Sequence, residues 1–305
     1  EMLGRDVALK QVRLADQSAV DAAVARERMM REARIAAALH HPNVVSIFDV
    51  VVERGEPWLV LEYLPSRSLG GVLQERGTLP PREVAAIGAD VAAALAAAHA
   101  AGIVHRDVKP DNVLLSRPSA AGPVVKLTDF GIAHSAATPA ITATHAVTGT
   151  PAYFAPETAR GEGTDPRTDV YSLGATLYAA VEGQPPFGTD PGNLLALLGR
   201  IGHGGVPRPR RAGPLTDLLV QLTADDPGLR PSADKAREAL RRIADSTPAP
   251  AAPTLVGPVP GDREPTAVRT PARSGKRGRL LGVGAAVVAV LAVVVGLLTV
   301  GPPFG

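Results

Sequence analysis

The chain has 305 residues, 45% apolar and 20% charged, which is room for one large core or two small ones plus a tail. Formal net charge is only +2, and lysine and arginine are not gathered into one long stripe, so nucleic-acid binding gets little support. Cysteine is absent, which excludes disulfides, thiolate catalysis and cysteine zinc sites, and the seven histidines show no ligand-like spacing.

In chain order, Asp6-Val7-Ala8-Leu9-Lys10 alternates as a strand does. Residues 20–40, rich in Ala, Arg, Glu and Met, predict a helix carrying Glu27 and Glu32, which His41-Pro42-Asn43 brings to an end. Trp58-Leu59 reads as strand and runs into Val60-Leu61-Glu62-Tyr63-Leu64. Residues 84–101 are an Ala-rich helical run stopped by Gly102. The loop His105-Arg106-Asp107-Val108-Lys109-Pro110-Asp111-Asn112 follows. Short strands are then predicted at 113–115 and 124–127, before Asp129-Phe130-Gly131. Two acidic positions and one amide are thus delivered on loops at the ends of short strands. A scaffold gathers oxygen ligands around magnesium in this way.

Residues 246–279 are dominated by Pro, Ala, Thr, Arg and Gly without any apolar period, and predict a semi-extended linker. Residues 280–300, LLGVGAAVVAVLAVVVGLLTV, contain no charge. As a helix they span roughly 30 Å, the thickness of a bilayer's hydrocarbon core. Arg273, Lys276, Arg277 and Arg279 precede the span and no charge follows it. The globular part is therefore expected in the cytoplasm and the tail 301–305 outside. Gly282 and Gly284 sit inside this apolar run, without the strand–turn–helix setting of a phosphate loop.

The motif H-R-D-x-K-P-x-N, with D-F-G beginning seventeen residues after Asn112, resembles the catalytic core of the eukaryotic-like Ser/Thr protein kinases of bacteria. The similarity covers residues 1–243. It implies an α+β fold of two lobes, a small β-rich one over about 1–60 and a large helical one over about 65–243. Asp107 resembles the aspartate that accepts the substrate hydroxyl's proton, and Lys109 the lysine on the transferred phosphoryl group. Asn112 and Asp129 resemble the magnesium ligands. Lys10 matches the lysine that holds the α- and β-phosphates of ATP, with Glu32 as its expected partner, preferred over Glu27. Leu61 matches the residue guarding the adenine pocket, with Glu62, Leu64 and Leu114 beside it. Thr142 and Thr144 align with autophosphorylation sites, and Arg106 with the cation that a phosphothreonine holds. Gly149-Thr150-Pro151-Ala152-Tyr153-Phe154-Ala155-Pro156-Glu157 resembles the close of an activation segment. There Thr150 bonds near Asp107 and Lys109, and Glu157 pairs with Arg230. Asp169 resembles the helix-start aspartate that braces the catalytic loop.

No glycine-rich phosphate loop precedes Lys10, so an N-terminally truncated kinase is expected. The expected organisation is a kinase domain over 1–245, a linker over 246–279, a membrane helix over 280–300 and a short outer tail. The expected activity is transfer of the ATP γ-phosphate to protein Ser or Thr with magnesium. The partners are protein substrates, the membrane, no nucleic acid, and a second copy through pairing of small lobes. The alternative is a membrane-tethered pseudokinase, or an inactive fragment, that acts as a binding scaffold without catalysis.

Overall fold

A computed structural model describes residues 4–12, 19–53, 56–116, 124–130, 151–189 and 192–246, with backbone alone at 19–23, 25, 26 and 28. All lie in the first of two compact units, Glu1–Ala249; the second is Pro250–Gly305. The linker, the apolar stretch 280–300 and the tail lie outside the described residues.

The small lobe is a three-stranded antiparallel sheet with one helix on it. Strands β1 (Val7–Gln11), β2 (Ile47–Glu53) and β3 (Glu56–Glu62) lie in the order β1-β3-β2. Residues directly opposite in such a ladder share a face. Ala8 faces Leu61 and Lys10 faces Leu59, so these four lie on one side of the sheet. Helix α1 (Ala19–Ala37) turns Met29, Ala33 and Ala36 into a small core with Val12, Ile47 and Leu59. The four-residue spacing from Met29 to Ala33 is one apolar stripe on a helix.

The large lobe is built round α3 (Pro81–Ala100). Pro81 starts it at a position where a missing N–H costs nothing, and Gly102, at φ +74°, follows its end. Among the described residues this is the one helix long and apolar enough to cross a membrane. Its Val84, Ile87, Val91 and Leu95 belong to the large-lobe core. Gly88 lets two neighbours close in: a Cβ there would lie 2.7 Å from Leu177 and 3.3 Å from Leu240. Those residues sit on α5 (Pro166–Glu182) and α8 (Ala233–Asp245). Helices α2 (Leu69–Arg76), α4 (Pro156–Ala159), α6 (Leu194–His203) and α7 (Thr216–Leu222) complete the lobe. A second antiparallel sheet, β4 (Ser66–Ser68), β5 (Val113–Ser116) and β6 (Val125–Leu127), carries the loops of interest.

The segment after α1 is sewn to β6. Leu127 N donates to Asn43 O at 2.8 Å, Val45 N to Leu127 O at 3.0 Å, and Asn43 Nδ2 to Val125 O at 2.8 Å. The C-terminal end of α1 is therefore fixed on the large lobe.

Candidate active site

Between α3 and β5 the chain makes a tight loop that ends in a single 3-10 turn, Pro110–Asn112. Lys109 Nζ lies 3.0 and 2.8 Å from the two carboxylate oxygens of Asp107. Asn112 Nδ2 donates to the Asp107 carbonyl at 2.7 Å and to its Oδ2 at 2.9 Å. Three functional side chains are thus locked together within six residues, and with its amide nitrogen turned to Asp107, Asn112 keeps its side-chain oxygen as an acceptor. Thr128 N donates to Asn112 O at 3.0 Å, which brings the Asp129 loop alongside.

His105 is wholly buried and holds the loop from beneath. Its Nδ1 accepts the Asp107 N–H at 3.2 Å, so its proton sits on Nε2, which donates to Thr128 O at 3.0 Å. Its ring packs on Phe130 with centroids 4.6 Å apart. Burial pulls the His105 pKa below its ordinary 6.5, against the opposing pull of the Asp169 carboxylate. The ring is therefore neutral.

Asp169 holds the same loop from the side. The Asp165 carboxylate caps α5, accepting from Arg167 N at 2.7 Å and Thr168 N at 3.2 Å in a capping box with Thr168. This fixes Asp169 in the first turn, where the helix dipole favours a carboxylate. Its Oδ2 accepts from His105 N at 2.8 Å and its Oδ1 from Arg106 N at 2.8 Å. Arg106 needs that hold, because its φ of +67° is left-handed and costs about 1–2 kcal/mol for a residue with a Cβ. Asp129 has φ +63°, so one motif carries its strained residue next to Asp107 and the other at Asp129 itself.

A second buried carboxylate secures the far side. Glu157 meets Arg230 in a two-pronged pair, 2.6 and 2.8 Å, and accepts from Thr168 Oγ1 at 3.1 Å. Burial pushes the Glu157 pKa up, but the bonds from Arg230 and Thr168 outweigh this, and the group lies below its ordinary range.

On the small-lobe side, Lys10 and Glu32 are paired differently from expectation. Lys10 Nζ lies 2.6 Å from Asp129 Oδ1, and the Glu32 carboxylate is 4.0 Å from the Arg106 guanidinium. Glu27 is exposed. Glu62 spends its carboxylate on Lys126 Nζ at 3.0 Å and on Ser46 N at 3.1 Å, and Lys126 also donates to Val44 O at 3.1 Å. Leu61, Leu64 and Leu114 are half-buried, with Leu114 on β5 opposite Ser68 and Lys126. Thr142, Thr144 and Thr150 lie outside the described residues.

Among the described residues no group of three or more His, Asp or Glu gathers as a self-contained metal site. Asn112 and Asp129 instead fit magnesium, which usually takes one or two protein oxygens and fills its shell with water and phosphate. Sequence reasoning missed His99 and Lys126. His99 Nε2 lies 2.7 Å from Asp169 Oδ2. Lys126 was detectable: it stands between buried Val125 and Leu127, a cation inside a short apolar strand.

The protein kinase domain family matches residues 2–240. Over 243 residues the chain is 40% identical to the serine/threonine-protein kinase PkaA of Streptomyces coelicolor, covering 79% of this chain and 44% of that protein. Over 195 residues it is 42% identical to the serine/threonine-protein kinase PknB of Mycobacterium leprae, covering 61% of this chain and 29% of that one. The chain thus spans less than half the length of these curated relatives. The crystal structure of the Mycobacterium tuberculosis PknI kinase domain superposes with a TM-score of 0.58 at 29% identity, over 78% of this chain and 85% of that one.

Proposed function

The chain belongs to the protein kinase domain family, and from that premise we propose that it transfers the γ-phosphate of ATP to serine or threonine hydroxyls of protein substrates. The observation that carries the reading is the Asp107 carboxylate, gripped by Lys109 and Asn112 in a loop braced by His105 and Asp169. In phosphoryl transfer, positioning and charge neutralisation supply most of the catalysis. Asp107 orients the attacking hydroxyl and accepts its proton. Lys109 offsets charge on the transferred phosphoryl group. Asn112 and Asp129 would hold magnesium, which would neutralise charge on the transferred phosphate. Leu61, Leu64 and Leu114 line the adenine side, with backbone groups near Glu62 as its polar contacts.

Two ion pairs change partners in this reading. Lys10 leaves Asp129 for the α- and β-phosphates, and Glu32 leaves Arg106 for Lys10. A phosphothreonine at Thr142 or Thr144 takes Arg106 and so favours the exchange. Residues 280–300 tether the domain to the cell membrane, with the basic residues before them keeping it cytoplasmic. The second reading, a scaffold without catalysis, draws on the Lys10–Asp129 pair, which occupies both groups that nucleotide and magnesium require.

Radiolabelled phosphate transfer from ATP with magnesium decides between them. Transfer by the native chain and a fall of at least ~100-fold in Asp107→Asn is expected. Nucleotide binding with no transfer would favour the scaffold. The Thr142→Ala/Thr144→Ala double variant tests the regulation, since unchanged activity there removes it.

A further inference from the structure

Helix α8 ends beside a basic face that phosphate transfer does not use. Glu182, the last residue of α5, accepts from Arg210 N at 2.7 Å and from Arg211 N at 2.6 Å, both on one carboxylate oxygen. The charge that could have paired with these two arginines is spent on their backbone instead. Both side chains are exposed, and among the described residues neither guanidinium has a carboxylate partner. Arg208, on the same stretch, is neutralised by Asp217 at 2.7 Å.

The turn runs on to the point where the chain leaves α8. Gly213, two residues after Arg211, abuts the start of α3: a Cβ on it would lie 3.8 Å from Pro81. The next residue, Arg82, donates from Nη2 to Ser246 Oγ at 3.4 Å, just past the end of α8. Arg82, Arg210 and Arg211 therefore share one surface with Ser246. The acidic groups around them leave a positive excess. Glu83 is taken by Arg76 at 2.9 Å. Arg242 and Asp245, in the last turn of α8, are opposite charges three residues apart and offset each other. Glu182 alone remains against three guanidiniums.

The sequence beyond Ser246 argues for the occupant. Residues 247–279 reach at most about 120 Å even fully extended. They include Arg273, Lys276, Arg277 and Arg279, ahead of the uncharged run 280–300. A domain tethered there meets the lipid surface at high effective concentration. Each basic side chain near an anionic bilayer favours it by roughly fivefold. Two or three are too few to hold a free domain on lipid and enough to orient a tethered one. We propose that Arg82, Arg210 and Arg211 form a docking face for the anionic headgroups of the bilayer. The catalytic loop follows the opposite end of α3, a helix of about 30 Å, so the docked domain keeps its reacting groups away from the lipid. This inference rests on the reading of 280–300 as a membrane tether.

The test incorporates the full chain into vesicles of phosphatidylcholine alone or with about one third phosphatidylserine. Arginines are then labelled with phenylglyoxal and mapped. Labelling of Arg210 and Arg211 should fall at least ~3-fold on the anionic vesicles at low salt, and recover near ~1 M salt, where charges are screened. Exposed Arg34, on α1 of the small lobe, should label alike on both. In Arg210→Gln/Arg211→Gln, protection of Arg82 should disappear while the chain still floats with either vesicle. Equal labelling on the two lipids, or a fall shared by Arg34, would overturn the proposal. So would protection by soluble polyglutamate with none from the anionic lipid, which would assign the face to an acidic protein segment. A chain that does not float with neutral vesicles would defeat the tether. Flotation with anionic vesicles that the double variant loses would then still uphold the face, whereas flotation indifferent to the variant, or none, would overturn it.

Discussion

Two sets of ion pairs sit on either side of the cleft, and they are built to different standards. In the large lobe, Arg230 has no exposed side-chain surface and uses all five N–H donors. These go twice to Glu157 and once each to the carbonyls of Ala224, Asp225 and Arg167. In the small lobe, Lys10 is 47% exposed beside Asp129, and Glu32 stands 4.0 Å from Arg106. A buried pair with every donor used is costly to break, whereas an exposed pair is worth little and can change partner. The rigid set secures the first turn of α5, from which Asp169 holds the catalytic loop. On the proposed reading, the loose set contains the groups that would meet nucleotide and metal.

The comparison breaks most sharply at Arg230. Arg230→Met leaves the Glu157 carboxylate buried without its partner and should cost about 3–5 kcal/mol. At ~2–4 °C per kcal/mol for a domain of this size, thermal unfolding should move by on the order of 10 °C. An unchanged midpoint would put the large-lobe pair in the same class as Lys10. Lys126→Met comes next, at about 1.5–3 kcal/mol, since Glu62 then loses a charged partner and Val44 O a donor. Equilibrium urea unfolding measures it.

Acid probes the large lobe without mutation. His105 has a lowered folded pKa, so its contribution is complete above its ordinary 6.5 and declines as pH falls below that value, because the unfolded chain takes up the proton first. Glu157 is also lowered. Its contribution is complete above the ordinary carboxylate range and is lost as pH falls through its folded pKa. Melting temperature should therefore be level near about pH 7, fall below about pH 6.5, and fall again in the carboxylate range. Glu157→Gln should remove the lower limb and keep the upper one. The smallest effect on stability belongs to Lys10→Met, within about 1 kcal/mol, yet phosphate transfer should be lost. A large destabilisation there would erase the contrast between the lobes.

The same division separates what the sequence tells from what it conceals. Asp107, Lys109 and Asn112 lie so close along the chain that a single tight loop makes them meet, and the proline and short strand after them mark that loop. Helix α3 is legible from its alanines and from Gly102. The partner of Lys10 is not legible. The chain offers carboxylates at Glu27, Glu32 and Asp129, and Lys10 takes the one on the far side of the sequence, at Asp129. His99 was missed for another reason: a lone histidine at the end of an alanine-rich helix has no spacing signal, and its partner lies 70 residues further on.

That separation along the chain also sets an order on synthesis. Asp169 emerges 63 residues after Arg106, and Arg230 a further stretch later, 73 residues after Glu157. At about 5–20 residues per second, Glu157 waits roughly 4–15 s for the cation it will be buried with. Helix α8, which packs against α3 at Gly88, arrives later still. A nascent chain ending before Arg230 should thus hold the complete set of catalytic motifs on a lobe that cannot yet close. We expect such ribosome-bound intermediates to be cut readily by protease, and chains extended past residue 245 to resist it.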